Sequence, residues 1–168
     1  MRCRVVKIEQ LSGCKASVYS IIIDNGSLNL LDKFIEENKV IHKKEVDDIV
    51  GRLYTIGKRS GAREGFFKLF EGGIGDGVCA LYDIPRSKLR LYCIRYGSTL
   101  IIAGDGAVKP KGIRALQEDE RLKEANYLLR RVSKAIKDKM LLNEIKFCNN
   151  SYDFKGELDF EIDCYEKK

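Results

Sequence analysis

No apolar run in this chain approaches the roughly 20 residues needed to span a bilayer, and the opening stretch MRCRVVKIEQ is charged and alternating, unlike a signal peptide. Those absences lead to the expectation of a cytoplasmic protein without a membrane partner. Two adjacent metal-type cysteines are also missing: six cysteines are present, yet none stand in C-x-x-C spacing, and the single histidine, His42, has no cysteine near it in sequence. Zinc is therefore not indicated, and free, mostly buried thiols are the simpler reading in a reducing compartment. His42, between two helices with Lys43 and Lys44 beside it, reads as a surface residue. Neither G-x-S-x-G nor H-E-x-x-H occurs, and no Asp/Glu cluster has metal-site spacing, so no metal or cofactor is expected. Glycines do gather at Gly72-Gly73-Ile74-Gly75-Asp76-Gly77, but no Gly-Lys-Ser/Thr closes the loop and an apolar strand follows it. A phosphate loop needs a helix there, so this is a hairpin loop. No internal repeat, low-complexity segment or linker forces a second domain on the 168 residues, which read as one domain with a C-terminal extension from about residue 141.

What is present alternates between periods of two and 3.6. Arg2–Gln10 and Val18–Asp24 read as strands, the second of them central, and the turn residues that follow make Ser27 the expected helix N-cap. Leu31, Phe34 and Ile35, then Val46, Ile49, Val50 and Leu53, form the apolar stripes of two amphipathic helices. Val78–Ile84, Leu89–Tyr96 and Thr99–Ala103 have the length, β-branched or aromatic content and flanking turn residues of an antiparallel meander, with Gly104-Asp105-Gly106 a bulge or strand end. A long helix beginning near Gln117 carries Leu122, Ala125, Leu129, Val132, Ile136 and Met140 on one face, a stripe that must pack on something. Phe154, Leu158, Phe160 and Ile162 then alternate as strand.

Charge is unevenly placed along this chain. Arg86, Lys88, Arg90, Arg95, Lys109, Lys111 and Arg114 face only Asp105 between positions 86 and 114, a local balance of +6 that equals the net charge of the whole chain. A localised basic patch is the footprint of a polyanion site, with nucleic acid the commonest partner. Within Leu89–Tyr96 the strand period puts Leu89, Leu91, Cys93 and Arg95 on one face and Arg90, Tyr92, Ile94 and Tyr96 on the other. On the second face Arg90 can hold a phosphate bidentately while Tyr92 or Tyr96 stacks on a base or offers a proton. The alternative is a solvated arginine and cross-strand aromatics that finish an exposed sheet face.

The order of elements and the wording FFKLFEG followed by GVCALYDIPRSKLRLYCIRYGSTLIIAGDGAVKPKG resemble the RelE/ParE toxin superfamily, in its HigB-like, phage-derived branch, over about Val18–Ile136. The resemblance implies an α+β, RelE-like fold: an antiparallel sheet with two N-terminal helices packed on one face and an additional C-terminal helix. It also implies a toxin that acts on RNA at the ribosome, neutralised by a helix-turn-helix antitoxin. Metal-free cleavage in such a family uses the RNA 2′-hydroxyl as nucleophile, so the protein removes a proton, stabilises phosphate charge and protonates the leaving oxygen. Arg90 falls at the arginine of the "R-x-x-Y" strand as phosphate stabiliser, Lys109 and Lys111 match the basic exit, and Tyr92 is a further catalytic candidate. Arg86, Lys88, Arg95, Tyr96, Lys111 and Arg114 are the RNA-binding candidates. No general base is assigned, because the strand from Val78 to Asp83 carries Cys79, Ala80, Leu81 and Tyr82 where many relatives have basic residues. The competing readings are a non-enzymatic protein of the same fold that binds an antitoxin or another protein, and an unrelated nucleic-acid-binding module.

Overall fold

The computed structural model describes residues 1–81, 87–109, 120–150 and 152–164. In chain order it contains β1 (Arg2–Lys7), β2 (Ser17–Ile23), α1 (Leu30–Asn38), α2 (Lys43–Thr55), β3 (Phe67–Lys68), β4 (Val78–Leu81), β5 (Leu89–Tyr96), β6 (Leu100–Val108), α3 (Glu120–Leu141), β7 (Ile145–Phe147), β8 (Phe154–Gly156) and β9 (Asp159–Glu161). A π-helical turn, Ile56–Ser60, prolongs α2. The fold is α+β, with a mostly antiparallel seven-stranded sheet in the order β3-β4-β5-β6-β2-β1-β9 and, among the described residues, three α-helices. One junction is parallel, β2 against β6, so the N-terminal hairpin joins the later meander at the middle of the sheet.

Strand alternation divides the core in two. Leu31 and Phe34 of α1 and Val46, Ile49 and Leu53 of α2 bury against Leu89, Leu91 and Cys93 of β5 and Ile101 of β6. Leu122, Ala125, Leu129, Val132 and Ile136 of α3 bury against Ala80, Tyr92, Ile94 and Ile102 from the other side. Each Val, Leu, Ile or Phe among these taken from water contributes about 1.5–3 kcal/mol, so neither layer is a minor one. Every member of the α3 stripe is buried except Met140, which is partly so.

Several local expectations are corrected. α1 is capped by Asn29, whose side-chain oxygen accepts the Asp32 N–H at 2.8 Å, and not by Ser27. The first turn is further held by Ser20, whose buried hydroxyl donates to the Ala103 carbonyl at 2.7 Å and accepts the Leu31 N–H at 3.2 Å. β6 runs past the expected Thr99–Ala103 to Val108, and of the two readings of Gly104-Asp105-Gly106, bulge or strand end, the bulge holds: Gly104 and Asp105 together oppose the single residue Tyr92 and the ladder resumes at Leu91 with Gly106. That is a β-bulge, which adds a residue without ending the strand. Cys79 and Cys93 do face each other across β4 and β5, and burial pushes the Cys79 thiol up to about 12. Only Cys3, Cys79 and Cys93 of the six cysteines are buried. His42 stands at the start of α2 with its side chain 14% exposed and Nδ1 3.6 Å from Glu45, more enclosed than a surface residue.

The segment after α3 belongs to the fold. β9 pairs with β1, and the β7–β8 hairpin is clipped to β1 and β2 through Asp153, whose carboxylate accepts from Lys7 at 2.9 Å, Tyr19 at 3.0 Å and Ser17 at 3.1 Å. Burial alone raises the Asp153 carboxyl, but the bonds from Lys7, Tyr19 and Ser17 outweigh it and hold the group below its ordinary value of 3.8. Stability from this clip is therefore complete above the ordinary aspartate range and disappears as pH falls through the lower folded value. Thermal melts of the wild type and Asp153→Asn should differ by a constant amount from neutrality down to about pH 4, then converge in stronger acid. Curves that stay parallel into acid would show that the carboxylate is not what holds the hairpin.

Candidate nucleic-acid interface

The β5–β6 hairpin separates the residues that the sequence groups together. At its open end the Lys109 N–H donates to the Lys88 carbonyl at 2.6 Å, in register with the pairs Leu89 with Val108 and Arg90 with Ala107. Directly opposed residues of an antiparallel pair share a face, and so do residues two apart on one strand. Lys88, Arg90 and Lys109 thus stand on one side of one end of the hairpin, the side on which α3 lies, with Lys88 exposed and Arg90 half-buried. Asp105, the acid of this stretch, is taken up by Lys33 of α1 at 3.2 Å, and Lys33 also meets Glu37, which Arg121 of α3 engages. The Glu45 carboxylate reaches the same end of the hairpin, accepting the backbone N–H groups of Lys88 and Leu89.

The other candidates are elsewhere. Tyr92 is 0% exposed, inside the core beneath α3, so its phenol presents no face to an RNA base. Tyr96, six residues beyond Arg90 or about 20 Å along the strand, packs edge-on against Phe147 and Phe154 with centroids at 5.9 and 5.3 Å. Burial pushes its phenol well above the ordinary value. It closes the C-terminal hairpin onto the sheet and is not a stacking platform. Arg95 is half-buried and structural in part, donating its Nε to the Ala62 carbonyl at 2.8 Å. Arg86, Lys111 and Arg114 lie outside the described residues, as does Tyr82. The face alternation expected for β5 is therefore present, but α3 covers most of the side on which Arg90 and the tyrosines stand.

Comparison with protein-family models, with curated proteins and with solved structures gives no match. Among the described residues no helix is long and apolar enough to cross a membrane, and no group of three or more His, Cys, Asp or Glu is placed to hold a metal ion.

A second basic gathering is visible only in three dimensions. The Gly57 carbonyl, in the π-helical turn, accepts the N–H groups of Lys15 and Ala16 at 3.0 and 3.2 Å, and Lys58 Nζ reaches the Ser12 carbonyl. The Ala62 N–H donates to the Ser98 carbonyl at 2.7 Å, and Arg63 Nε to the Ser60 carbonyl at 3.2 Å. Three segments distant in sequence, 13–16, 56–63 and 95–99, are thereby fastened together, and they bring Lys15, Lys58, Arg59, Arg63 and Arg95 to one corner without a single Asp or Glu among them. The sequence signal was KRSGAR, whose charge is hidden in a whole-chain balance by acids that fold elsewhere.

Proposed function

We propose that this protein is a RelE/HigB-like toxin component of a toxin–antitoxin pair that acts on RNA. The observation that supports this reading is the convergence of Lys88, Arg90 and Lys109 on one side of the open end of the β5–β6 hairpin, at the point where the chain continues toward Lys111 and Arg114. Three cations at neighbouring ladder positions suit a phosphodiester, whose oxygens accept charge-assisted hydrogen bonds from guanidinium and ammonium groups. In this role Arg90 neutralises the phosphate on which the RNA 2′-hydroxyl acts, and the lysines position the backbone or protonate the departing 5′-oxygen. The burial of Tyr92 takes it out of the catalytic set, so the proton that leaves the 2′-hydroxyl goes to another group or to water.

A second reading is favoured by that same burial: a non-enzymatic protein of this kind that binds its antitoxin or another protein. A groove of about 350 Å³ suits it, with Ile8, Leu11, Leu31, Ile35 and Val50 on its floor and Lys7, Asn29 and Asp32 at its rim. RNA 5′ ends mapped after a short induced pulse separate the two. The RNA-cleaving reading expects new ends inside translated messages that vanish with Arg90→Ala. Soluble protein with no new ends would discard cleavage and leave the protein-binding reading.

A further inference from the structure

The corner built by the π-helical turn gathers Lys15, Lys58, Arg59, Arg63 and Arg95, and it lies at the opposite end of β5 from Lys88 and Arg90. We propose that Lys15, Lys58, Arg59 and Arg63, flanked by Arg95, form a separate binding surface for the phosphate backbone of single-stranded RNA. The scaffold is rigid where such a surface needs it to be. Lys15 is tied to the π-helical turn through its own backbone N–H, to Gly57, the Arg63 N–H closes a local turn on Gly61, and an added Cβ at Gly61 would lie 2.9 Å from the Ser98 carbonyl oxygen and 3.3 Å from that of Lys15, so the three segments are in backbone contact. Lys15, Arg59 and Arg63 are exposed, with Lys58 half-buried between them. Two carboxylates, Glu64 and Asp76, line a hollow shared with Arg95, Leu69 and Phe70, so acids border the cluster on its Arg95 side.

The composition of the corner selects among polyanions. An anionic membrane surface is bound by cations together with inserted Trp, Phe or Leu, and among the described residues no large apolar side chain is exposed within the three segments. A protein interface centres on an apolar, charge-depleted core, which is also missing. Phosphodiesters need only cations, hydroxyls and amides, and the exposed Ser98 supplies a hydroxyl. Two exposed aromatics border the corner, Phe70 on its Arg95 side and Tyr54, 45% exposed, with Lys58 Nζ 5.8 Å from its ring centroid. A phenol beside a lysine is suited to a splayed base next to its phosphate, which favours single strands over duplex. The Arg90 end faces the α3 side of the sheet whereas Arg95 belongs to the opposite strand face, so the two surfaces are not one continuous track.

The test is fluorescence anisotropy of the full chain with a labelled mixed-sequence single-stranded RNA over a salt series, comparing wild type, R59A/R63A, Arg90→Ala and a control, K134A/K137A, which removes two cations from the outer face of α3. The expected result is RNA binding that weakens steeply with salt. In R59A/R63A affinity should fall on the order of tenfold whatever the sequence, and the log–log salt slope should shrink by about 1.4, two contacts at ~0.7 each for a single strand. The α3 control should keep its slope. Because the proposal concerns this corner and not cleavage, a fall in affinity and in salt slope in R59A/R63A upholds it whatever Arg90→Ala does to binding, and even where no RNA is cut. An unchanged slope in R59A/R63A, an absence of RNA binding by the wild type, or capture by phosphatidylserine vesicles without RNA binding would each overturn it. R59A/R63A and K134A/K137A should share the wild-type unfolding midpoint, since all four side chains they remove are exposed.

Discussion

Gly57→Ala is expected to cost about 3 kcal/mol or more, the range reserved for changes that the surrounding structure has no way to absorb. An added Cβ would lie 1.8 Å from the Leu11 carbonyl oxygen and 3.0 Å from its carbon, backbone on both sides, with no flexible side chain to give way. The loop would have to retreat, breaking the paired acceptance of the Lys15 and Ala16 N–H groups by Gly57. With an m value of roughly 1–3 kcal/mol/M in urea, the unfolding midpoint should drop by at least about 1 M. Gly51 supplies the contrast on the preceding helical turns. It is exposed within α2 with nothing inside 4 Å of an added Cβ, so Gly51→Ala should stabilise the protein by about 0.5–1 kcal/mol. Equal small effects at the two positions would show that the π-helical turn does not press on the Leu11 loop.

The second large effect is expected at the cover over Tyr92. Leu129 is fully buried at the centre of α3 and sits over Gly104 in the bulge, where an added Cβ would come within 2.5 Å of its Cδ1. The absent side chain at Gly104 is what lets the leucine descend onto β6. Leu129→Ala should destabilise by 2–5 kcal/mol, the transfer term plus the cavity left behind, with the exact cost set by how far α3 can settle. Amide exchange in β5 should quicken, since α3 shields that strand, while the Asp153 clip should be less affected. A loss below about 1 kcal/mol would mean that α3 is not seated at the bulge.

How far the sequence could be read depended on the range of the interaction that decides each feature. β5 was legible to the residue because alternation over Leu89–Tyr96 and the turns on either side are local. The assignment of its two faces was legible for the same reason. Which face stayed open was not, because a tyrosine at Tyr92 alternates in the same way under a helix or under water, and nothing in the Leu122–Met140 stripe says where α3 will land. β6 was read short because glycine in a strand signals an end as readily as a bulge. The helix cap was misplaced by two residues because Ser27 and Asn29 are both good caps, and the choice falls to the Asp32 N–H that Asn29 reaches. The basic corner escaped for a different reason: Lys15, Arg59 and Arg95 come together only through backbone bonds between segments dozens of residues apart.

The parallel junction at the middle of the sheet also sets a timetable. The β2 edge that receives β6 belongs to a partner 83 residues later, the separation between Ser20 and Ala103. At 5–20 residues per second of synthesis the edge waits roughly 4–17 s before its partner exists. During that interval Val18 and Ile21, both fully buried in the finished fold, face water or any other apolar chain within reach. A nascent chain of this topology is therefore at its most adhesive before it is complete, and its yield is governed by what it meets in those seconds as well as by the stability of the final sheet.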